Sequence, residues 1–385
     1  MREEWLRGLE RELNVLSEKD RLRSLRTYSG IDFGSNDYLG FATDAKLREA
    51  MLEAVRDVAL SSSASRLLPG NHGEHLAAEK YFANFIGSES ALLFNSGYDA
   101  NHALLTTLPT RHDLILYDER SHACIYDGIR ASHAQSQRFK HNSAEDIRNL
   151  ILKQKDKSQT SQLFIVLESV YSMDGDIANL REISYIANEF SAILITDEAH
   201  ATGVLGNRGD GLVNQTIGRN ESTITMHTCG KALGASGAFV ATSKIVTDYL
   251  INKARAFIFT TALPPIVPLQ IINSIKRLET EGASLVATLR ERSDFVRDKL
   301  QKSLTHWAVP DGITPIIPII IGADGDALQA SRWFEELGFI IPAVRPPSVP
   351  EGSSRLRLNV SLRNSDDELR RVVDAIVHVE SQSVE

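Results

Sequence analysis

Short apolar runs, most of them closing on a polar residue, alternate with helix-patterned segments through the middle of the chain. ALLFN (91–95), LILYD (114–118), LFIVLE (163–168), AILITD (192–197) and TITMHT (223–228) are rich in aliphatic, aromatic and β-branched side chains. That pattern belongs to strands buried on both faces. GAFVAT (237–242) reads as one more. Between these runs, EHLAAEKYFANFI and LREISYIANEF carry helical patterning. The order predicts an α/β domain with a mainly parallel sheet covered by helices. The opening MREEWLRGLERELNVL alternates charges with Leu and Trp at helical spacing, which predicts a charged amphipathic helix that serves as a packing arm.

From Pro264 the pattern changes. PPIVPLQIINSIKRLETEG enters on prolines and turns helical, and a second helix is predicted around SLVATLRERSDFVRDKLQK. Beyond Trp307 come a strand-like TPIIPIII, a helix, a proline-rich turn (RPPSVPEG), a strand (SRLRLNV) and a last helix. The expected organisation is an N-terminal arm (1–45), a large domain (46–270) and a smaller α+β domain (271–385).

Composition narrows the function classes. The 385 residues are 42% hydrophobic and 24% charged, ordinary values for a globular protein. A net charge of −8 argues against a broad basic face for nucleic acid, yet leaves room for a local anion pocket. Two cysteines are too few for a disulfide framework, so a cytoplasmic setting is expected. No run approaches the ~20 apolar residues a membrane span needs.

Ligands of wound α/β sheets gather at the carboxyl ends of strands. Asp197 ends one predicted strand; Thr228 ends another and leads into Cys229, Gly230 and Lys231. Asn95, Ser96, Gly97 and Tyr98 follow a third, and Glu168 and Ser169 a fourth. Alone, Lys231 reads as a solvated loop lysine. Its small neighbours in TCGKALGASG would also let a bulky group approach, as a Schiff-base lysine needs. Asp197 is a helix N-cap or the partner of a pyridinium nitrogen. His200 can pack or meet a cofactor's phenolic oxygen. His122 can stack on a flat ring or sit in a core. The Gly97–Tyr98 turn can be an ordinary helix start or a phosphate site. DEAH (197–200) also occurs in helicases, but those need a GxxxxGK[ST] loop that this chain lacks. No HExxH or Cys/His cluster suggests a metal.

Taken together, SNDYLGF (35–41), SASRLLPGNHGEH (63–75), LFNSGYDAN (93–101), DERSHA (118–123), ESVYSMDGD (168–176), DEAHATGVLG (197–206), TCGKALGASGA (228–238), FIFTTALPP (257–265) and RPPSVPEGSSRLRL (345–358) resemble the α-oxoamine synthases of pyridoxal 5′-phosphate (PLP) fold type I. That likeness implies a large domain with a mainly parallel seven-stranded sheet and a smaller α+β domain. It implies PLP on Lys231, Asp197 at the pyridine nitrogen, His200 at the ring oxygen and His122 on the ring face. Gly97 and Tyr98 then serve the phosphate, and Ser172 and Thr228 are nearby hydroxyls. Thr260 and Thr261 resemble a phosphate contact supplied by the neighbouring subunit, which implies a homodimer with active sites at the interface. Asn36 and Arg357 match groups that hold an amino-acid carboxylate. Arg23, or alternatively Arg26, resembles an arginine near the acyl substrate. Ser348 stands where family members with the expected specificity usually carry Thr.

The implied reaction joins L-alanine to a pimeloyl thioester, on CoA or acyl carrier protein, with loss of CO2, as in biotin biosynthesis. Other family chemistries, above all glycine acetylation, are the alternative. A non-catalytic protein that binds PLP or an acyl carrier is a remote one.

Overall fold

A computed structural model describes residues 2–154, 162–220 and 222–382. The chain divides into two compact units. The larger comprises Asn36–Ser172 with Asp176–Thr288; the smaller comprises Met1–Ser35, Met173–Gly175 and Leu289–Glu385.

Seven strands form the sheet of the larger unit. From edge to edge they are Ser90–Phe94, Ala238–Thr242, Thr223–Thr228, Ile193–Asp197, Leu163–Glu168, Leu114–Asp118 and Gln135–Phe139. Ala238–Thr242 runs antiparallel to both neighbours; every other pairing is parallel. Thus the carboxyl ends of the other six strands share one edge. The apolar runs became strands because both their faces are covered: Ile115, Phe164, Val166, Ile195, Ile224 and Val240 join one core with Leu104 and Ile125 of the covering helices. Each such side chain, fully buried, contributes about 1.5–3 kcal/mol. Gln135–Phe139 escaped prediction because QSQRF is polar, and its pattern is that of a mostly exposed edge strand with one neighbour.

One 38-residue helix, Ile266–Ser303, stands where two were expected. Gly282, which lies between the two expected helices, is inside it. A Cβ there would sit 2.4 Å from the carbonyl oxygen of Arg208, so the glycine admits a neighbouring backbone without ending the helix.

In the smaller unit Ala343–Val344, Ser354–Asn359 and Ile316–Gly322 form an antiparallel sheet in that order. Ile31–Asp32 pairs in parallel with Phe339–Ile340. Helices Asp324–Glu336 and Asp366–Gln382 belong to this unit. Arg297 is buried there, its guanidinium donating to the carbonyls of Pro310, Thr314 and Ile316 at 2.9–3.0 Å. The N-terminal helix, Arg2–Glu18, has no buried residue. Among the described residues no helix is long and apolar enough to cross a membrane.

Candidate active site

A cavity of about 190 Å³ in the larger unit is lined by residues from five of those strand ends and the segments after them: Gly97 and Tyr98, His122 and Cys124, Glu168, Asp197 with His200, and Thr228 with Lys231. Their common strand direction is what gathers them, since each of these strands leaves the sheet at the same edge.

Lys231 and His200 are directly linked, Nζ to Nε2 at 2.7 Å. On its other side, Nδ1 of His200 lies 2.8 Å from the Tyr38 hydroxyl, which donates to Oδ1 of Asn36 at 3.1 Å. With that hydroxyl proton committed to Asn36, the consistent assignment has His200 Nδ1–H donating to Tyr38 and Nε2 accepting from Lys231. A hydrogen-bonded line therefore leads from the amine to Asn36.

Asp197 is buried. Asn101 Nδ2 donates to its Oδ2 at 2.7 Å and Ala199 N–H to its Oδ1 at 2.8 Å. Two N–H donors hold the carboxylate in place at the end of its strand, where a lone buried charge would be costly. His122 caps the helix Ala123–Ala131, and its Nδ1 accepts the N–H of Cys124 at 3.2 Å. Burial lowers the pKa of His122 and outweighs the pull of Asp197, so its ring is neutral. Burial pushes the thiol of Cys124 up to about 12, which leaves it an inert wall group.

On the opposite side begins the helix Gly97–Thr107, capped by Ser96, whose side chain accepts from Asp99 N–H. The N–H groups of Gly97 and Tyr98 precede that capped turn and belong to the unsatisfied donors of a helix start. A Cβ on Gly97 would press on the Met226 methyl at 3.3 Å, so glycine keeps this wall open. Tyr98 turns its hydroxyl outward to Asp127, 2.6 Å away.

These features fit PLP. An amine stands by an imidazole, an anchored carboxylate suits a pyridinium nitrogen, a neutral ring suits a flat face, and a helix start suits a phosphate. The class I and II aminotransferase family matches residues 28–376. The chain belongs to that family. Among its relatives, the 8-amino-7-oxononanoate synthase of Trichlorobacter lovleyi is 40% identical over 349 residues, 90% of this chain and 88% of that one. A solved 8-amino-7-oxononanoate synthase from Francisella tularensis superposes with a TM-score of 0.75 at 29% identity, covering 93% of this chain and 99% of that one. Serine palmitoyltransferase from S. paucimobilis, with PLP–myriocin bound, gives 0.86 at 26% identity, covering 97% of each chain.

The cavity brings together Gly97, Tyr98, His122, Asp197, His200, Thr228 and Lys231, and Asn36 reaches it through Tyr38. Ser172, Thr260 and Thr261 lie outside its lining. Asn95 Nδ2 donates to the carbonyl of Thr261 at 2.7 Å. The sequence reading assigned no role to Cys124, Met226, Tyr38, Asn101 or Glu168. Only Glu168 carried a signal, as a charged residue ending an apolar run. Arg23, Arg26, Ser348 and Arg357 belong to the smaller unit. Arg357 is buried on Ser354–Asn359, and Ser348 is exposed. Arg23 and Arg26 line a different cavity, about 490 Å³, with Arg332, Arg345 and Asp20.

Proposed function

We propose that this protein condenses L-alanine with a pimeloyl thioester, on CoA or acyl carrier protein, releasing CO2 and the thiol and forming 8-amino-7-oxononanoate. The observation that carries the reading is the Lys231–His200–Tyr38 line in one cavity with Asp197, set beside the 40% identity to a relative named for this activity.

Bound in this cavity, PLP supplies an electron sink when Cα loses its proton or its carboxylate. The chain's own groups do the rest. Asp197 holds the pyridine nitrogen, Gly97 and Tyr98 with Thr228 hold the phosphate side, and His122 covers the ring. Lys231 Nζ would tether the cofactor and, as a free amine, would take the Cα proton; His200 Nε2 keeps that amine oriented. Ser172, Thr260 and Thr261 add hydroxyls, the threonines from a second copy of the chain in a homodimer. Asn36 and Arg357 bind the amino-acid carboxylate, the guanidinium by its planar fork. Ser348 and Arg23, with Arg26 as the alternative, serve the acyl donor. Both cysteines are buried and unbridged, which suits a reducing, cytoplasmic setting.

Product mass tests the reading directly. Pimeloyl-CoA or pimeloyl-acyl carrier protein is offered with L-alanine, glycine or L-serine. The expected product forms with alanine. A product with serine alone would favour the second reading, an acyltransferase for serine, which the 0.86 TM-score to serine palmitoyltransferase supports. A product with glycine alone would favour the glycine C-acetyltransferase type.

A further inference from the structure

Glu168 ends the strand Leu163–Glu168, and its Cα partner on the adjacent parallel strand is Asp197. Paired residues of neighbouring strands project to the same face, and both acids line the cavity. Two buried anions so placed would repel. Their surroundings differ. Asp197 accepts two N–H bonds and faces the cofactor nitrogen in the reading above. The Oε1 of Glu168 accepts the main-chain N–H of His122, a bond that the carbonyl oxygen of a neutral carboxyl can also accept.

We propose that Glu168 is a positioning residue that works as a neutral carboxyl. It fixes His122 at the start of its helix and leaves the cavity's negative charge on Asp197. The inference rests on reading this cavity as the PLP site.

The groups that face Glu168 decide where the proton sits. Asp197 flanks it on one neighbouring strand and Asp118 on the other; Lys231 and the His122 N–H are the opposing influences. Complete burial, followed by Asp197, raises its pKa well above the carboxylate range, and Lys231 and the N–H only partly offset this. An acid that stays protonated can be replaced by an amide of the same shape. Removing the side chain is different, because it leaves the buried N–H of His122 without its acceptor.

The test compares wild type, Glu168→Gln and Glu168→Ala in PLP titrations followed by visible absorbance, with a pH titration of the bound cofactor's band. Glu168→Ala is expected to weaken PLP binding about tenfold, the worth of one buried unsatisfied donor. Glu168→Gln restores affinity to within about twofold and leaves the midpoint of the pH titration in place, because no charge has been removed. A wild-type-minus-Gln infrared difference spectrum of the cofactor-free protein at neutral pH should contain a protonated carboxyl band. The proposal fails if Gln binds PLP as weakly as Ala, if the midpoint moves, if Ala binds like wild type, or if the infrared band is absent. Should Ala not fold, the Gln variant and the infrared band still decide. Wild type that binds no PLP would refute the cofactor reading, while the infrared result would still judge the proton on Glu168.

Discussion

Two cavities that hold many of the proposed site residues are built on opposite electrostatic plans. In the larger unit, an amine, two imidazoles and two acids line about 190 Å³; the amine meets one imidazole directly, and each acid accepts an N–H donor. In the smaller unit, four arginines and one aspartate line about 490 Å³. Burial and the neighbouring Arg23 lower the pKa of Arg345, and its Nη1 is buried without a hydrogen-bond partner. The first cavity has its charges already balanced, as suits a resident cofactor. The second has excess positive charge, which an anionic ligand would offset. The cavity that balances itself is expected to control chemistry; the unbalanced one is expected to control affinity for a charged substrate.

That contrast predicts a ranking of effects. Lys231→Ala should lower turnover by about 10³-fold or more, since it removes both the tether and the base. It should also abolish the visible absorbance of the lysine-linked cofactor; retention of both would break the assignment. Asp197→Asn keeps the shape and removes the charge, and should lower kcat on the order of 10²–10³-fold. Steady-state assays at saturating PLP would show it. Arg23→Ala should act mainly on KM for the acyl donor, raising it about tenfold, the worth of one charge-assisted hydrogen bond. If only Arg26→Ala does so, the alternative arginine takes the role. An effect on kcat alone from both variants would dissolve the distinction between the two cavities.

The smallest effect concerns a charged cluster in the larger unit, set apart from the cofactor cavity's lining. His141 lies 3.0 Å from Asp118 and 2.8 Å from Asp176. Burial opposes its charge, but the two acids outweigh burial and raise its pKa from 6.5 to about 9. A folded-state pKa above the unfolded one contributes stability that is complete below about 6.5 and is lost as pH rises through about 9. His141→Asn should therefore melt a few degrees below wild type at pH 7, with the gap narrowing toward pH 10. A constant gap in thermal scans across that range would mean that the histidine's charge contributes nothing.

Much of the larger unit was legible because its strands are continuous apolar runs whose ends carry the chemistry. Asp197, His200 and Lys231 could be singled out by their company at the strand ends and by the family resemblance, though Lys231 alone reads as a solvated loop lysine. Tyr38 and Asn101 could not. Each acts through one contact to a residue more than 90 positions away, and no local pattern encodes that contact. The strand Gln135–Phe139 was hidden by its polarity, since an edge strand with a mostly exposed face needs no apolar run. The two helices expected on either side of Gly282 are one, and that glycine's reason lies in the backbone of Arg208.

The sequence by itself determined the apolar strands of the larger unit, and which residue types stand at their ends. Periodicity and turn chemistry are local, so they survive without the fold. Only the tertiary structure decided that Met173–Gly175 joins the C-terminal unit, where the carbonyl of Gly175 accepts from Thr314. It also decided that Ile31–Asp32 pairs with Phe339–Ile340, and that Glu168 is buried in register with Asp197. Burial and register arise from packing between distant segments, and they turn an ordinary glutamate into a candidate neutral acid.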